Sequence, residues 1–255
     1  MSGLALEKSP VTSKTWHSEN YTNVIHFANP ETTPMSESGF IFNITSLEGA
    51  FPGFTLFDIY GDFNAMLITD LNGTVVREES RWRIVEFINS THILGFSPEG
   101  NATLLNIYTS EMTSLGIRGH HELEYNSNNN TILTLGSYIT IINNTYYQLD
   151  TIEEYDMEGQ LVWSMDTQDF VSPDQLCPFR LEGFALDLTH ANSIFFDAEE
   201  DTFLLNCRNL NTFYKIDHKT KQVVWGLGEF GDFAMFDRYG NPKANLFYHA
   251  HAVEK

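Results

Sequence analysis

Three stretches decide the fold of this chain: AMLITDLNGTVVR (65–77), TIEEYDMEGQLVW (151–163) and FYKIDHKTKQVVW (213–225). Each reads as an apolar strand, an Asp, a short turn and a second strand ending in Val-Val or Val-Trp. Asp70, Asp156 and Asp217 stand where the chain enters the turn. Gly73 and Gly159 supply the positive φ that a tight hairpin needs, and Lys221 takes a nearby place in the third copy. Elsewhere, too, the apolar runs are short, β-branched and aromatic, separated by Gly, Asn, Asp and Pro, which is the pattern of an all-β protein.

A second unit interleaves with the first. It begins with a His, continues as an alternating strand and a polar turn, and ends in Thr followed by apolar residues: HELEYNSNNNTILTL (121–135) and HANSIFFDAEEDTFLLN (190–206). A weaker copy opens at His92, too close to His121 for a full repeat. Asp156 and Asp217 are 61 residues apart, as are His190 and His251, while His121 and His190 are 69 apart. One repeat therefore holds a His strand, a partner strand and a hairpin, the content of a four-stranded propeller blade. Radial repetition would set His121, His190 and His251 around one channel rim. The expected fold is an all-β propeller over 46–255, incomplete in this chain, because about 60 residues per repeat leaves room for roughly four blades. Missing blades or a partner would then cover the open edge. Residues 1–45, with Pro10, Pro30 and Pro34, show no repeat and read as a lead-in segment.

Composition limits the partners. With 14 basic against 34 acidic residues the net charge is −20, and no Lys/Arg run offers a face for nucleic acid or an anionic membrane. No apolar stretch approaches the length of a membrane span. Sequons at Asn20, Asn43, Asn72, Asn89, Asn101, Asn129 and Asn143 suggest a glycoprotein of the secretory pathway, the cell exterior or a periplasm-like compartment. Cys177 and Cys207 leave open one bridge or two small buried thiols. The first residues lack a signal-peptide pattern.

Over roughly 115–255 the chain resembles the arylsulfotransferases. The residues that carry the resemblance are GHHELEYNSNNNTILTL, then HANSI, NCRNLNTFYKID, VVWGLGEFGDF and FYHAHAV, in that order. The resemblance implies a six-bladed propeller and transfer of a sulfuryl group from an aryl sulfate to a phenol, without a nucleotide or other cofactor. It assigns the nucleophile, and so a sulfohistidine intermediate, to His251, and the holding of the sulfuryl oxygens to His121, His190, Asn192 and Arg208. Those residue types suit the chemistry. Imidazole is a competent nucleophile near neutral pH, and a guanidinium fork matches a tetrahedral oxyanion. Two positions depart from the family pattern: its Gln-His-Asp is Ala250-His251-Ala252 here, and the residue before Arg208 is Cys207 where the family has Ser.

Two other readings compete. His249 and His251, alternating on a strand, would face one side and bind Zn²⁺ together with His190 and His121. Alternatively, the propeller is a non-catalytic binding or scaffold module. Trp163 and Trp225, closing equivalent hairpins, read as packing between blades.

Overall fold

The computed structural model describes residues 53–59, 65–175, 177 and 183–252, so the lead-in segment and the sequons at Asn20 and Asn43 lie outside it. The described chain is built from strands, with only short 3-10 turns between them. Strands β1 (Thr55–Ile59), β2 (Ala65–Thr69) and β3 (Val75–Ser80) form one sheet. Three four-stranded sheets follow in simple chain order. The first is β4 (Arg83–Phe87), β5 (His92–Phe96), β6 (Asn101–Asn106) and β7 (Met112–Arg118). The second is β8 (His120–Asn126), β9 (Thr131–Ile142), β10 (Thr145–Tyr155) and β11 (Leu161–Asp166). Short β12 (Leu186–Asp187) joins it, parallel to β10. The third is β13 (Ala191–Asp197), β14 (Thr202–Cys207), β15 (Thr212–Asp217) and β16 (Gln222–Gly228), with a ribbon of β17 (Met235–Phe236) and β18 (Pro242–Lys243) after it. The second and third sheets are the His strand, partner strand and hairpin of the sequence repeat. His92, by contrast, opens the second strand of its sheet.

The chain divides into two compact units, residues 1–99 with 103–114 and residues 100–102 with 115–255. The core of the first gathers Met66, Ile68, Trp82, Ile93, Leu105 and Ile107. That of the second gathers Leu133, Leu135 and Ile152 with Ile194, Phe203, Leu205 and Ile216.

The hairpin turns explain the repeated Asp. Asp70 Oδ1 accepts the backbone N–H groups of Asn72 and Thr74, and Asp156 Oδ1 accepts those of Glu158 and Gln160. Gly73 (φ 80°) and Gly159 (φ 79°) occupy the left-handed position, and Lys221 (φ 57°) fills it at the Asp217 turn. A fourth copy is present that the sequence reading passed over: Asp237 accepts from Tyr239 and Asn241, with Gly240 at φ 83°.

The second and third sheets are joined through a buried ionic cluster. His218 Nε2 lies 2.7 Å from Glu154 Oε2, and its Nδ1 lies 2.9 Å from Asp201 Oδ1. Glu154 Oε1 also accepts from Asn126 Nδ2 and Thr131 Oγ1. Trp163 Nε1 donates to the His218 carbonyl, and its ring meets Phe203 and His218 edge-on, so it packs between sheets as expected. Trp225 packs edge-on against Phe233. The hydrogen bond to Glu154, aided by Asp201, outweighs burial and raises the His218 pKa from 6.5 to about 9. Burial alone would raise the Glu154 carboxyl, but His218, Thr131 and Asn126 hold it below its ordinary value.

Because the folded His218 pKa lies above the unfolded one, its stabilisation is full below pH 6.5 and is lost as pH rises towards about 9. His218→Ala, which strands a buried carboxylate, is expected to lower the unfolding free energy by about 3 kcal/mol near neutral pH. In urea titrations the gap between wild type and variant should narrow from pH 6.5 to 9; a gap independent of pH would show that the ion pair is not its source.

Candidate active site

The site lies in the second unit, where two sheets begin. Register shifts occur in β8 between His120 and Leu123, and in β13 between Ala191 and Ser193. At these irregular starts His121 (φ 62°) and His190 (φ 45°) adopt the left-handed conformation, uncommon for a residue with a Cβ. Their rings come to 5.3 Å centroid to centroid, and the His120 ring stands 5.1 Å from that of His121. A cleft of about 240 Å³ opens there, lined by His120, His121, Ser137, Gln148, Asp150, His190 and Ala191.

Two carboxylates organise these imidazoles. Asp150 is buried; its Oδ2 accepts from Thr189 Oγ1 and the Ala191 N–H, both at 2.6 Å, and its Oδ1 lies 3.1 Å from His120 Nε2. That nitrogen is also 3.2 Å from the Gly136 carbonyl, which makes it the protonated one and leaves Nδ1 for other partners. Burial would lower the His120 pKa; Asp150 and Gly136 more than offset it, and the net shift is upward. Asp187, delivered by β12, sits 2.6 Å from His190 Nδ1 and fixes that ring with Nε2 unengaged by the pair. Each histidine–carboxylate pair is a proton-handling unit with a fixed tautomer.

The C-terminal segment approaches His190 from another direction. The backbone N–H of His249 (φ 49°) donates to Asn211 Oδ1, and its Nε2 lies 3.3 Å from Cys177 Sγ. Its pKa is lowered by burial and by the nearby charges of Arg208, His190 and His251, so the ring is neutral at neutral pH. Arg208 follows β14 on a 3-10 turn (Arg208–Leu210). One guanidinium nitrogen donates to Asn209 Oδ1, and the buried Nε has no hydrogen-bond partner among the described residues. Such an N–H beside imidazoles suits an incoming oxyanion.

The structure thus brings His121 and His190 together and sets Arg208 near His249. Asn192 is buried, its amide donating to the Ala250 carbonyl and accepting from Asn206, which donates to Ala250 as well. It pins the segment that bears His251. His251 itself is exposed. His249 and His251 do not alternate on a strand, and among the described residues no three His, Cys, Asp or Glu side chains converge as metal ligands. No disulfide joins Cys177 and Cys207, and both are buried. The sequence reading missed His120, Asp150 and Asp187, and considered His249 only as a metal ligand. The doubled His120-His121, the Asp three residues before His190 and the His-Ala-His pair were the available signals, whereas Asp150 sits in an ordinary strand with none.

An all-β chain of repeated four-stranded antiparallel sheets, with histidines clustered where two of them begin, defines a propeller-like protein. The sequence model of the arylsulfotransferase (ASST) family matches residues 53–238, and the chain belongs to that family. No curated protein matches it. Among solved structures, it is similar to a protein of unknown function from Bacteroides caccae (13% identity, 69% of this chain and 73% of that one, TM-score 0.32). Another is the dihydro-heme d1 dehydrogenase NirN in complex with DHE (11% identity, 65% and 42%, TM-score 0.24). Likenesses this distant carry no argument.

In an NMR titration the His120 ring of the wild type should titrate above the ordinary value of 6.5. Asp150→Asn should bring its midpoint down. A midpoint that does not move would remove Asp150 as the group that charges this ring.

Proposed function

We propose that the chain transfers a sulfuryl group from an aryl sulfate to a phenol through a sulfohistidine at His251, on a propeller of the six-bladed type. The observation that carries this reading is the buried Nε of Arg208, without a hydrogen-bond partner among the described residues, whose charge acts on His249 together with those of His190 and His251. In the first step an imidazole nitrogen of His251 attacks sulfur, the sulfur–oxygen bond to the ring breaks, and the phenolate leaves with a proton. In the second, the acceptor phenol gives up its proton and its oxygen attacks sulfur, breaking the nitrogen–sulfur bond. Charge on the three sulfuryl oxygens calls for fixed donors, as in phosphoryl transfer. His121, His190 and Arg208 are those donors, and Asn192 acts by holding Ala250. The His120–Asp150 and His190–Asp187 pairs give and take the proton.

The reaction needs no cofactor. Family membership and the exposed sequon residues Asn72, Asn89, Asn129 and Asn143 favour a secreted or periplasm-like glycoprotein. None of the described helices is long and apolar enough to cross a membrane.

Incubation with 4-nitrophenyl sulfate and a phenol acceptor should yield the sulfated acceptor by mass spectrometry. His251→Ala should abolish it, and His249→Ala should slow it by about 100-fold, the scale of a lost positioning contact. Transfer that survives in His251→Ala and vanishes in His249→Ala would move the nucleophile to His249. A folded wild type that transfers nothing would favour the non-catalytic binding module.

A further inference from the structure

Strands β9 and β10 run on together beyond His120, where β8 begins. In an antiparallel pair, residues directly opposite share a face, and alternate residues along each strand return to it. The register sets Asp150 opposite Ser137, Gln148 opposite Ile139 and Tyr146 opposite Ile141. All six side chains therefore stand on one face. Ser137, Gln148 and Asp150, at its base, line the histidine cleft. The next three continue upward from the cleft and are apolar and open: Ile139 is 54% exposed, Ile141 58% and Tyr146 41%. Phe184, 76% exposed, lays its ring 4.5 Å from that of Tyr146. The alternate side chains Tyr138, Ile142 and Tyr147 pack against the core, so the ribbon is held in place while this face stays uncovered.

Contiguous exposed apolar surface of this kind marks a binding face. Its position says what binds. One step of two residues along a strand is roughly 7 Å, so a planar ring lying on Ile139 and Tyr146 reaches the cleft with a substituent one or two bonds long. Residues 137–148, SYITIINNTYYQ, include no charged side chain, although the chain as a whole carries a net charge of −20. An uncharged wall ending in a cleft lined by three imidazoles matches an amphiphile with an apolar ring and a hydrogen-bonding, anionic head. We infer that this ribbon face is the aryl subsite: the ring of the sulfate ester lies against Ile139, Ile141 and Tyr146, with Phe184 at its edge, while the sulfuryl group enters the histidine cleft. The inference rests on the sulfuryl-transfer reading for the identity of the head group. The wall selects ring size, and a polynuclear ring covers more of it than a single ring.

Naphthalene-2-sulfonate, whose carbon–sulfur bond is not transferable, tests this by calorimetry with methanesulfonate as the ringless control. The wild type should bind the arenesulfonate more tightly. Ile139→Ser with Tyr146→Ser, and independently Phe184→Ala, should weaken it about tenfold and leave methanesulfonate unchanged. The same variants should raise KM for 2-naphthyl sulfate and keep kcat. Transfer with unaltered KM, or arenesulfonate affinity indifferent to both variants, would overturn the subsite and leave the transfer reading standing. Arenesulfonate binding that depends on the ribbon in a protein that transfers nothing would do the reverse. Concentration-dependent self-association lost in the double variant, without arene binding, would assign the face to a second copy of this chain and overturn the aryl subsite.

Discussion

The Asp150 carboxylate is 2% exposed, yet it takes hydrogen bonds from the Thr189 hydroxyl, the Ala191 N–H and the His120 ring. A buried carboxylate without donors would be untenable, so these three groups are fixed relative to one another as long as the chain is folded. Two of them flank His190. The backbone there turns left-handed, a conformation that costs a β-carbon residue on the order of 1 kcal/mol and survives where its neighbours dictate it. One carboxylate thus anchors the start of β13, orients His120 and defines the cleft between them. Four residues further along the same face of β10, Glu154 does the corresponding work against His218. The face that carries Asp150, Ile152 and Glu154 is where the second sheet meets the third, and it emerges beyond Asp150 as the open apolar ribbon.

Much of this was legible in the sequence because it depends on local chemistry. An Asp that accepts backbone N–H groups, followed by a left-handed residue, recurs at the hairpins entered by Asp70, Asp156, Asp217 and Asp237, and so appears as a repeat. The all-β class and the four-strand unit follow from it. The left-handed histidines were partly legible: His121 and His190 were found by phase. At the third place the backbone conformation belongs to His249, while counting 61 residues from His190 selects His251. Loops of different length separate the repeats, so spacing cannot decide between two histidines two residues apart. The metal reading failed for a related reason. It assumed a regular strand through 249–251, and the left-handed His249 breaks the alternation. Asp150 was illegible because its role arises from pairing with Thr189, Ala191 and His120, all distant in sequence, whereas the local pair of Asp187 with His190 left a signal that was passed over.

The family pattern places polar neighbours on either side of its last histidine, and this chain has alanines there. The structure offers a physical substitute. Asn192 and Asn206 hold the Ala250 carbonyl, and Asn211 holds the His249 backbone N–H, so the segment is positioned through its main chain instead of through the flanking side chains. An amide–carbonyl contact constrains the backbone whatever residue sits there, which makes alanine tolerable at 250. It does not set the rotamer of His251.

Charge completes the account. A chain with net charge −20 repels an anionic ester at long range, but at physiological salt that field is damped over about 8 Å. Inside the cleft the balance is local. Asp150 and Asp187 are each tied to an imidazole, so their negative charge is spent on histidines and not presented to the ligand. Away from the cleft lining, the Arg208 Nε has no hydrogen-bond partner among the described residues, and burial, with the nearby charges of Arg208, His190 and His251, lowers the His249 pKa. On the proposed reading the site is selective in both of its halves: hydrogen-bond donors without free carboxylates for the head, and an uncharged apolar ribbon for the ring. Either half alone would be weak, since a few imidazoles bind many anions and an exposed ribbon binds many apolar surfaces. Their shared face on β9 and β10 is what couples them.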